Sequence, residues 1–180
     1  GMPAEGYLNG EKRTALQYAL EPMLKMGTKI VWFPTVSAAN HVRHGHRKTL
    51  LAAKSPMMEP VQLSVLDNRG KIVDEVKGIL DIIARHDVIL SGGHLHISEI
   101  YPVFEEAKKR GVKRLLVNHP SFIIDASHDD IRQLVAMDAY IEHSLCMFVK
   151  VSKRDPLPPD KLDELIKAGT VDRTILASDL

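Results

Sequence analysis

Short apolar runs alternate with amphipathic helical segments along most of this 180-residue chain. In the clearest run, VILSGGHLH at Val88–His96, apolar residues lead into two glycines and then into His94. An apolar run bounded by glycine is typical of a strand that is buried on both faces. Strict alternation of strands with helices predicts parallel strands joined by right-handed crossovers. We therefore expect an α/β fold.

The predicted elements follow one another in a regular order. We expect five strands, at Thr28–Pro34, in the apolar part of Val88–His96, at Arg114–Asn118, at Ala139–Ile141 and at Thr174–Ala177. Helical spacing of apolar residues predicts helices at Glu11–Met26, Val73–His86, between a cap at Ser98 and Gly111, from Ser127 onwards, and at Pro158–Ala168. Residues 35–60 have no clear period and are expected to form a long loop. Alternation around Asn68–Gly70 predicts a small β-hairpin insertion over 61–72.

Length, charge and cysteine content narrow the class of protein. A chain of 180 residues can bury one substantial core, so we expect a single domain over 1–180. The 24 basic and 23 acidic residues give a formal net charge of +1, which offers no overall electrostatic attraction to nucleic acid or membrane. No apolar run reaches the ~20 residues of a membrane span, and no signal peptide is apparent. Together with the single cysteine, Cys146, this favours the reducing cytoplasm.

Polar side chains stand where four of the predicted strands end. They are His94, His119, the pair Glu142 and His143, and Asp179. The carboxyl ends of parallel strands meet at one edge of the sheet, so these groups should gather around a common centre. Imidazole and carboxylate are ligands of zinc and similar divalent ions, and a carboxylate near metal-bound water is a suitable base. A single strand-end histidine is more often a packing or hydrogen-bonding residue, but their recurrence favours a site.

The remaining candidate residues are weaker on sequence grounds. His96 would face the same side as His94 if the strand continued past the two glycines. His41, His44 and His46 lie in a basic segment and could hold an anionic substrate or be solvated, and we expect solvation for His44 and His46. Cys146 has no neighbouring feature that would activate it, so we expect it to pack.

The ordered strand ends resemble those of a known superfamily. The segments WFPT, AANH, SGGHL, VNHP, IEHS and LASDL are similar to successive strand ends of the amidohydrolase (β/α)8 barrel, within an uncharacterised branch of metal-dependent hydrolases. The resemblance runs from about Thr28 to Leu180 and covers strands four to eight of such a barrel. It implies a partial or truncated barrel, because a complete one needs ~250 residues.

The resemblance also implies roles for individual residues. His94 corresponds to the fifth-strand metal ligand, His119 to the sixth-strand ligand, and Asp179 to the eighth-strand aspartate that handles the proton of the attacking water. His143 and His41 are further candidate metal ligands, and Asn40, Glu142 and His96 are candidate substrate-binding residues. The implied activity is metal-dependent hydrolysis of an amide, ester or related bond in a small molecule. The implied cofactor is a divalent metal, zinc first, with manganese or iron as alternatives.

One motif of the superfamily has no counterpart in this chain. No strand before Thr28 carries the first-strand H-x-H ligands. The alternative therefore stays open that the chain is a catalytically incomplete remnant, or a binding protein of the same fold. A five-stranded sheet has two open edges, which we expect the N-terminal helix, the hairpin or a second copy in a homo-oligomer to cover. A nucleic-acid binder using Arg43, Arg47, Lys48 and Lys54 is disfavoured, because no aromatic residues interleave to stack on bases.

Overall fold

One parallel sheet organises the chain. A computed structural model describes residues 2–3, 20–44, 62–150 and 155–179. Its strands are β1 (Met2–Pro3), β2 (Ile30–Trp32), β3 (Ile89–Ser91), β4 (Arg114–Asn118), β5 (Ala139–Ser144) and β6 (Thr174–Ala177). They lie side by side in sequence order, and every neighbouring pair is parallel. The predicted α/β fold of parallel strands alternating with helices is confirmed, and the two-residue β1 adds an unpredicted strand. Within the described ranges β1 and β6 do not pair, so the sheet is open.

The helices follow the strands in the expected alternation. They are α1 (Ala39–Arg43), α2 (Asp74–His86), α3 (Ile97–Lys109), α4 (His128–Ala136) and α5 (Pro159–Gly169). Of the predicted helix Glu11–Met26, residues 20–25 are helical, and residues 11–19 lie outside the described residues. Among the helices that the structure describes, none is both long and apolar enough to cross a membrane.

The hydrophobic core lies on one face of the sheet. Alternate strand residues, among them Val31, Leu90, Val117 and Ile141, are fully buried in one cluster with the apolar faces of the helices. Successive side chains of a strand point to opposite faces, so the residues between them lie on the other face. Full burial of each large aliphatic side chain stabilises the fold by about 1.5–3 kcal/mol. Because these residues are held on the helix-covered face, the alternate residues of each strand lie on the opposite face.

Two helix starts show how local sequence sets the boundaries. Ser127 caps α4, and its side chain and that of Asp130 exchange hydrogen bonds with each other's backbone N–H. For α3 the expected cap, Ser98, is wrong. His96 occupies the N-cap, and its Nδ1 accepts a hydrogen bond from the Ser98 backbone N–H. The Glu99 carboxylate returns a hydrogen bond to the His96 backbone N–H.

Residues 33–44 and 62–73, the described parts of the chain between β2 and α2, contain regular structure. Within the predicted loop 35–60, Ala39–Arg43 forms α1, and residues 45–60 lie outside the described residues. The hairpin predicted over 61–72 corresponds to one antiparallel bridge, Leu66 to Ile72, which closes a tight turn. A parallel bridge between Ala38 and Leu63 ties this segment to the start of α1.

Strand β5 runs farther than its sequence indicates. It continues through Ser144, three residues beyond the predicted end at Ile141. Glu142 and His143 are therefore neighbours inside a strand and face opposite sides of the sheet.

Candidate active site at the carboxyl edge of the sheet

A cleft of about 130 Å³ opens where the strands end. Its lining comes from the ends of β2 to β6 and consists of Trp32, Thr35, Gly93, His94, Asn118, His119, Glu142 and Asp179. This is the edge at which parallel α/β folds collect ligands. Four residues predicted from the sequence, His94, His119, Glu142 and Asp179, thus share one cleft.

The two glycines after β3 place His94. Gly92 lies against α3, where an added Cβ would come within 3.2 Å of Ile100. Gly93 has a φ of +58°, and an added Cβ would lie 2.3 Å from the carbonyl oxygen of Phe33. Only glycine allows this close approach of two backbones, after which the His94 N–H donates to the Pro34 carbonyl over 2.9 Å. The turn therefore brings the His94 side chain into the cleft.

Three imidazole rings stand next to one another at this edge. His41, on α1, is fully buried, and its Nδ1 lies 2.6 Å from Nδ1 of His94. The two rings stack with centroids 4.7 Å apart and planes within 10° of parallel. The His94 and His119 centroids are 5.0 Å apart, with the planes tilted by 58°. In the His41–His94 contact one Nδ1 must donate and the other accept, so each ring fixes the tautomer of the other.

Asn40 holds the loops beside these rings. Its buried amide nitrogen donates to the carbonyl oxygen of Ile123 over 2.8 Å and to that of His94 over 3.2 Å. Asn40, predicted to bind substrate, thus links α1 by hydrogen bonds to the segments that follow β3 and β4. Its role toward a substrate stays a prediction.

His119 has a strained backbone and an imidazole whose pKa is lowered. Its φ is +29°, and its N–H donates to the Glu142 carbonyl over 2.7 Å, which extends the pairing of β4 with β5. Burial lowers the pKa of the His119 imidazole, against the opposing charges of Asp179 and Glu142. Its Nδ1 is buried and has no hydrogen-bond partner among the described residues. A neutral imidazole with an unused nitrogen is the form that binds a metal or accepts a proton.

Asp179 lines the cleft from the residues that follow β6. It follows β6 with a φ of +51° and is solvent-exposed. Its carboxylate lies 3.9 Å from Sγ of Cys146, and the Cys146 N–H donates to the Ser178 carbonyl. The cysteine that we expected only to pack therefore touches the predicted base.

His143 and His96 lie apart from the lining of the cleft. His143 shares the helix-covered face of β5 with Ile141, is 1% exposed, and has its Nε2 without a partner among the described residues. Burial lowers its pKa to about 4. His96 caps α3 and lies 3.8 Å from the carboxylate of Asp125. Nothing in this placement brings either residue to His94 or His119, and their proposed roles stay predictions.

Four residues of the cleft lining were not predicted as site residues: Trp32, Thr35, Gly93 and Asn118. Trp32 ends β2 and has a buried Nε1 with no hydrogen-bond partner among the described residues. Asn118 ends β4, and its side-chain oxygen accepts a hydrogen bond from the Ser91 hydroxyl. Trp32 and Asn118 stand in the quoted segments WFPT and VNHP, but neither was given a role, because their position at the cleft depends on how the strands pair, which a sequence pattern does not contain.

The donors of the cleft suit a divalent ion in kind. His94 and His119 could supply imidazole nitrogens, and Asp179 and Glu142 could supply carboxylate oxygens from the same cleft. The Nδ1 of His119 is buried and makes no hydrogen bond to the described residues. In the part of the chain that the structure describes, no three such side chains already form a group that could hold a metal. Binding would therefore need side-chain adjustment around the two imidazoles.

Comparison with known proteins gives relatives without an assigned function. Residues 15–142 match DUF6282, a family of unknown function. No curated protein matches the chain. A crystal structure of an uncharacterized protein aligns with 94% of this chain at 13% identity and a TM-score of 0.49, and the chain spans 39% of that protein's length.

Proposed function

The chain belongs to DUF6282, a family of unknown function, and for this member we propose metal-dependent hydrolysis of an amide, ester or related bond in a small molecule. The proposal follows the resemblance of the strand ends to the amidohydrolase superfamily. It is carried by one observation: His94, His119 and Asp179, which are far apart in sequence, line one cleft at the carboxyl edge of a parallel sheet.

We also propose that the sheet is part of a (β/α) barrel. Its strands are all parallel and lie in sequence order, which is the arrangement of barrel strands. A doubly wound sheet would instead reverse its order at a switch point. The position of the cleft, at the carboxyl ends of the strands, agrees with the position of barrel active sites.

In this proposal each cleft residue would have a separate role in the reaction. His94 and His119 would hold the ion, which when bound lowers the pKa of water to about 7 and polarises the bond to be cleaved. Asp179 would take the proton of the attacking water and pass it to the leaving group. Because Asp179 is exposed and follows the last strand of the sheet, its carboxylate can reach solvent and substrate together. His41 would orient His94 through the contact between their Nδ1 atoms.

Metal analysis and one conservative variant test this proposal. Purified protein reconstituted with zinc, manganese or iron should bind a divalent ion, and His94→Ala with His119→Ala should abolish that binding. A panel of amides and esters should include one that the wild type hydrolyses and that Asp179→Asn hydrolyses at least about a hundredfold more slowly. Tyr140→Phe, which alters an exposed residue away from the cleft lining, is the matched control. Failure to retain any of the three metals would exclude the proposal.

A second candidate is a binding protein of the same fold. It is favoured by the 2.6 Å contact that engages Nδ1 of His94 with His41, and by the absence of a preformed ligand group in the described ranges. This candidate expects ligand binding in the cleft without turnover. Any hydrolysis abolished by Asp179→Asn would rule it out.

A further inference from the structure

We propose that Ser91 is a positioning residue of the cleft, whose hydroxyl joins the turn that carries His94 to the strand end that carries His119 and so fixes how far apart the two imidazoles stand. This inference rests on the proposed function, because these are the imidazoles that would hold the metal ion. Ser91 is not among the residues that line the cleft. It stands in the segment SGGHL, where no role was assigned to it.

The Ser91 hydroxyl contacts the residue before each histidine. Ser91 ends β3 and is fully buried. Its Oγ accepts a hydrogen bond from the backbone N–H of Gly93 over 3.4 Å, and Gly93 precedes His94. The hydroxyl also donates to the side-chain oxygen of Asn118, which precedes His119 at the end of β4. One buried side chain therefore contacts both segments that present the imidazoles.

The main-chain hydrogen bonds of the two histidines lead away from each other. The His94 N–H donates to the Pro34 carbonyl after β2, whereas the His119 N–H donates to the Glu142 carbonyl in β5. Because β3 and β4 lie between β2 and β5 in the sheet, each histidine is bonded to the strand on its outer side. The Ser91 hydroxyl supplies a link between the two inner strands at this level.

Two further links between these segments reach beyond His119. The Asn40 amide donates to the carbonyl of Ile123, and the Ile97 N–H donates to that of Ile124. They hold the segment that follows β4, whereas the serine hydroxyl acts on the residue next to the histidine.

Burial makes this link specific. Ser91 is 0% exposed and Asn118 is 7% exposed, so water has little access to the hydrogen bond between them. Removing one partner of a buried hydrogen bond leaves the other polar group unsatisfied, and the surrounding segments then adjust. Groups that orient metal ligands from behind typically contribute about ten- to a hundredfold to metal affinity. Ser91 is placed to contribute in this way, because it holds the backbones of both candidate ligands.

Cobalt(II) serves as the probe, because its visible absorption reports the geometry of its ligands. The full chain should bind cobalt, and Ser91→Ala should bind it about tenfold or more weakly and with an altered spectrum. Ser144→Ala is the matched control, since it removes a buried hydroxyl at the end of β5 that has no hydrogen-bond partner among the described residues. It should bind cobalt as the wild type does. Urea denaturation measures the stability of both variants, and a less stable Ser91→Ala with unchanged cobalt affinity and spectrum would overturn the proposal.

Asn118→Ala tests whether the hydroxyl and the amide act as one link. This variant removes the acceptor of the Ser91 hydroxyl and should also weaken cobalt binding. If the two side chains act together, the double variant Ser91→Ala/Asn118→Ala should bind cobalt within about twofold of Asn118→Ala alone. Two effects that multiply in the double variant would show independent roles and refute the link.

A metal-free measurement separates this inference from the proposed function. Long-range ¹H–¹⁵N NMR spectra report the ring signals of His94 and His119 in the metal-free chain. Ser91→Ala should shift both sets of signals, and Ser144→Ala should leave them in place. Shifts of this kind in a chain that binds no metal would keep the link and remove the hydrolase. Metal-dependent hydrolysis, together with wild-type cobalt affinity and unshifted ring signals in Ser91→Ala, would keep the hydrolase and overturn the role of Ser91.

Discussion

Gly93 is the residue on which the position of His94 depends most directly. A methyl group there would come within 2.3 Å of the Phe33 oxygen and 2.7 Å of the Pro34 oxygen, and φ is already +58°. Both neighbours are backbone atoms of β2's end and cannot move without disturbing the sheet. We expect Gly93→Ala to lower the free energy of unfolding by about 3 kcal/mol or more, measured by urea denaturation.

Two other glycines provide matched controls for this prediction. Gly111 has a φ of +87° with nothing within 4 Å of an added Cβ, so Gly111→Ala should cost only the backbone term, about 1 kcal/mol. Gly78 lies inside α2 with open space around it and no unusual φ, so Gly78→Ala should stabilise by about 0.5–1 kcal/mol. Equal effects at all three sites would show that the close approach at Gly93 is unimportant.

His41 could bind the metal directly or orient His94, and one variant separates these two roles. The sequence proposed it as a ligand, whereas the structure places its Nδ1 against Nδ1 of His94. We expect His41→Phe, which keeps a stacked ring, to bind the same number of metal ions with about ten- to a hundredfold lower affinity. Metal titration of the wild type and the variant measures this. A lower metal stoichiometry in His41→Phe would instead establish a direct ligand.

At the scale of the elements, the length of β5 decides what its polar residues do. The strand includes both Glu142 and His143, so Glu142 reaches the cleft while His143 is buried on the face that holds Ile141. Burial lowers the pKa of His143 to about 4, whereas an unfolded histidine has a pKa of about 6.5. Between these values the unfolded chain binds a proton that the folded one does not. The free energy of unfolding therefore falls as the pH is lowered through this window.

A single variant isolates this contribution. His143→Leu removes the proton uptake and keeps an apolar side chain in the core. The loss of stability between pH 7 and pH 5 should be about 2 kcal/mol smaller in the variant than in the wild type. Urea denaturation at the two pH values measures the difference. Parallel losses in both proteins would mean that His143 titrates normally.

The elements also show what the sequence could and could not predict. Alternating apolar runs and helical faces predicted the parallel sheet, and the residues after β3, β4 and β6 were correctly expected to meet at one edge. The end of β5 was misjudged because polar residues inside a strand look like the start of a loop. Trp32 and Asn118 were missed because only the alignment of paired strands brings them to the cleft. His96 became a helix cap because Glu99 stands three residues later and completes the capping box, whereas only Ser98 was expected as the cap.

At the scale of the whole molecule, the edge of the sheet at β6 exposes apolar side chains. Among the described residues β6 pairs only with β5. Leu176 is 51% exposed on the face that β5 shares with His143, and Ile175 is 40% exposed on the face of Glu142. Edge strands with apolar side chains readily pair with another chain. We propose that a second copy covers this edge in a homo-oligomer.

A charge on this edge tests the proposal. The wild type should sediment as a dimer or larger species in analytical ultracentrifugation. Leu176→Lys should weaken association at least about tenfold, because a buried, unpaired ammonium opposes the contact. Met26→Lys changes a side chain that is 87% exposed and distant in sequence from β6, so it should leave the association unchanged. A wild type that is monomeric at all concentrations would show that the edge stays uncovered, and equal weakening by both lysines would place the contact elsewhere.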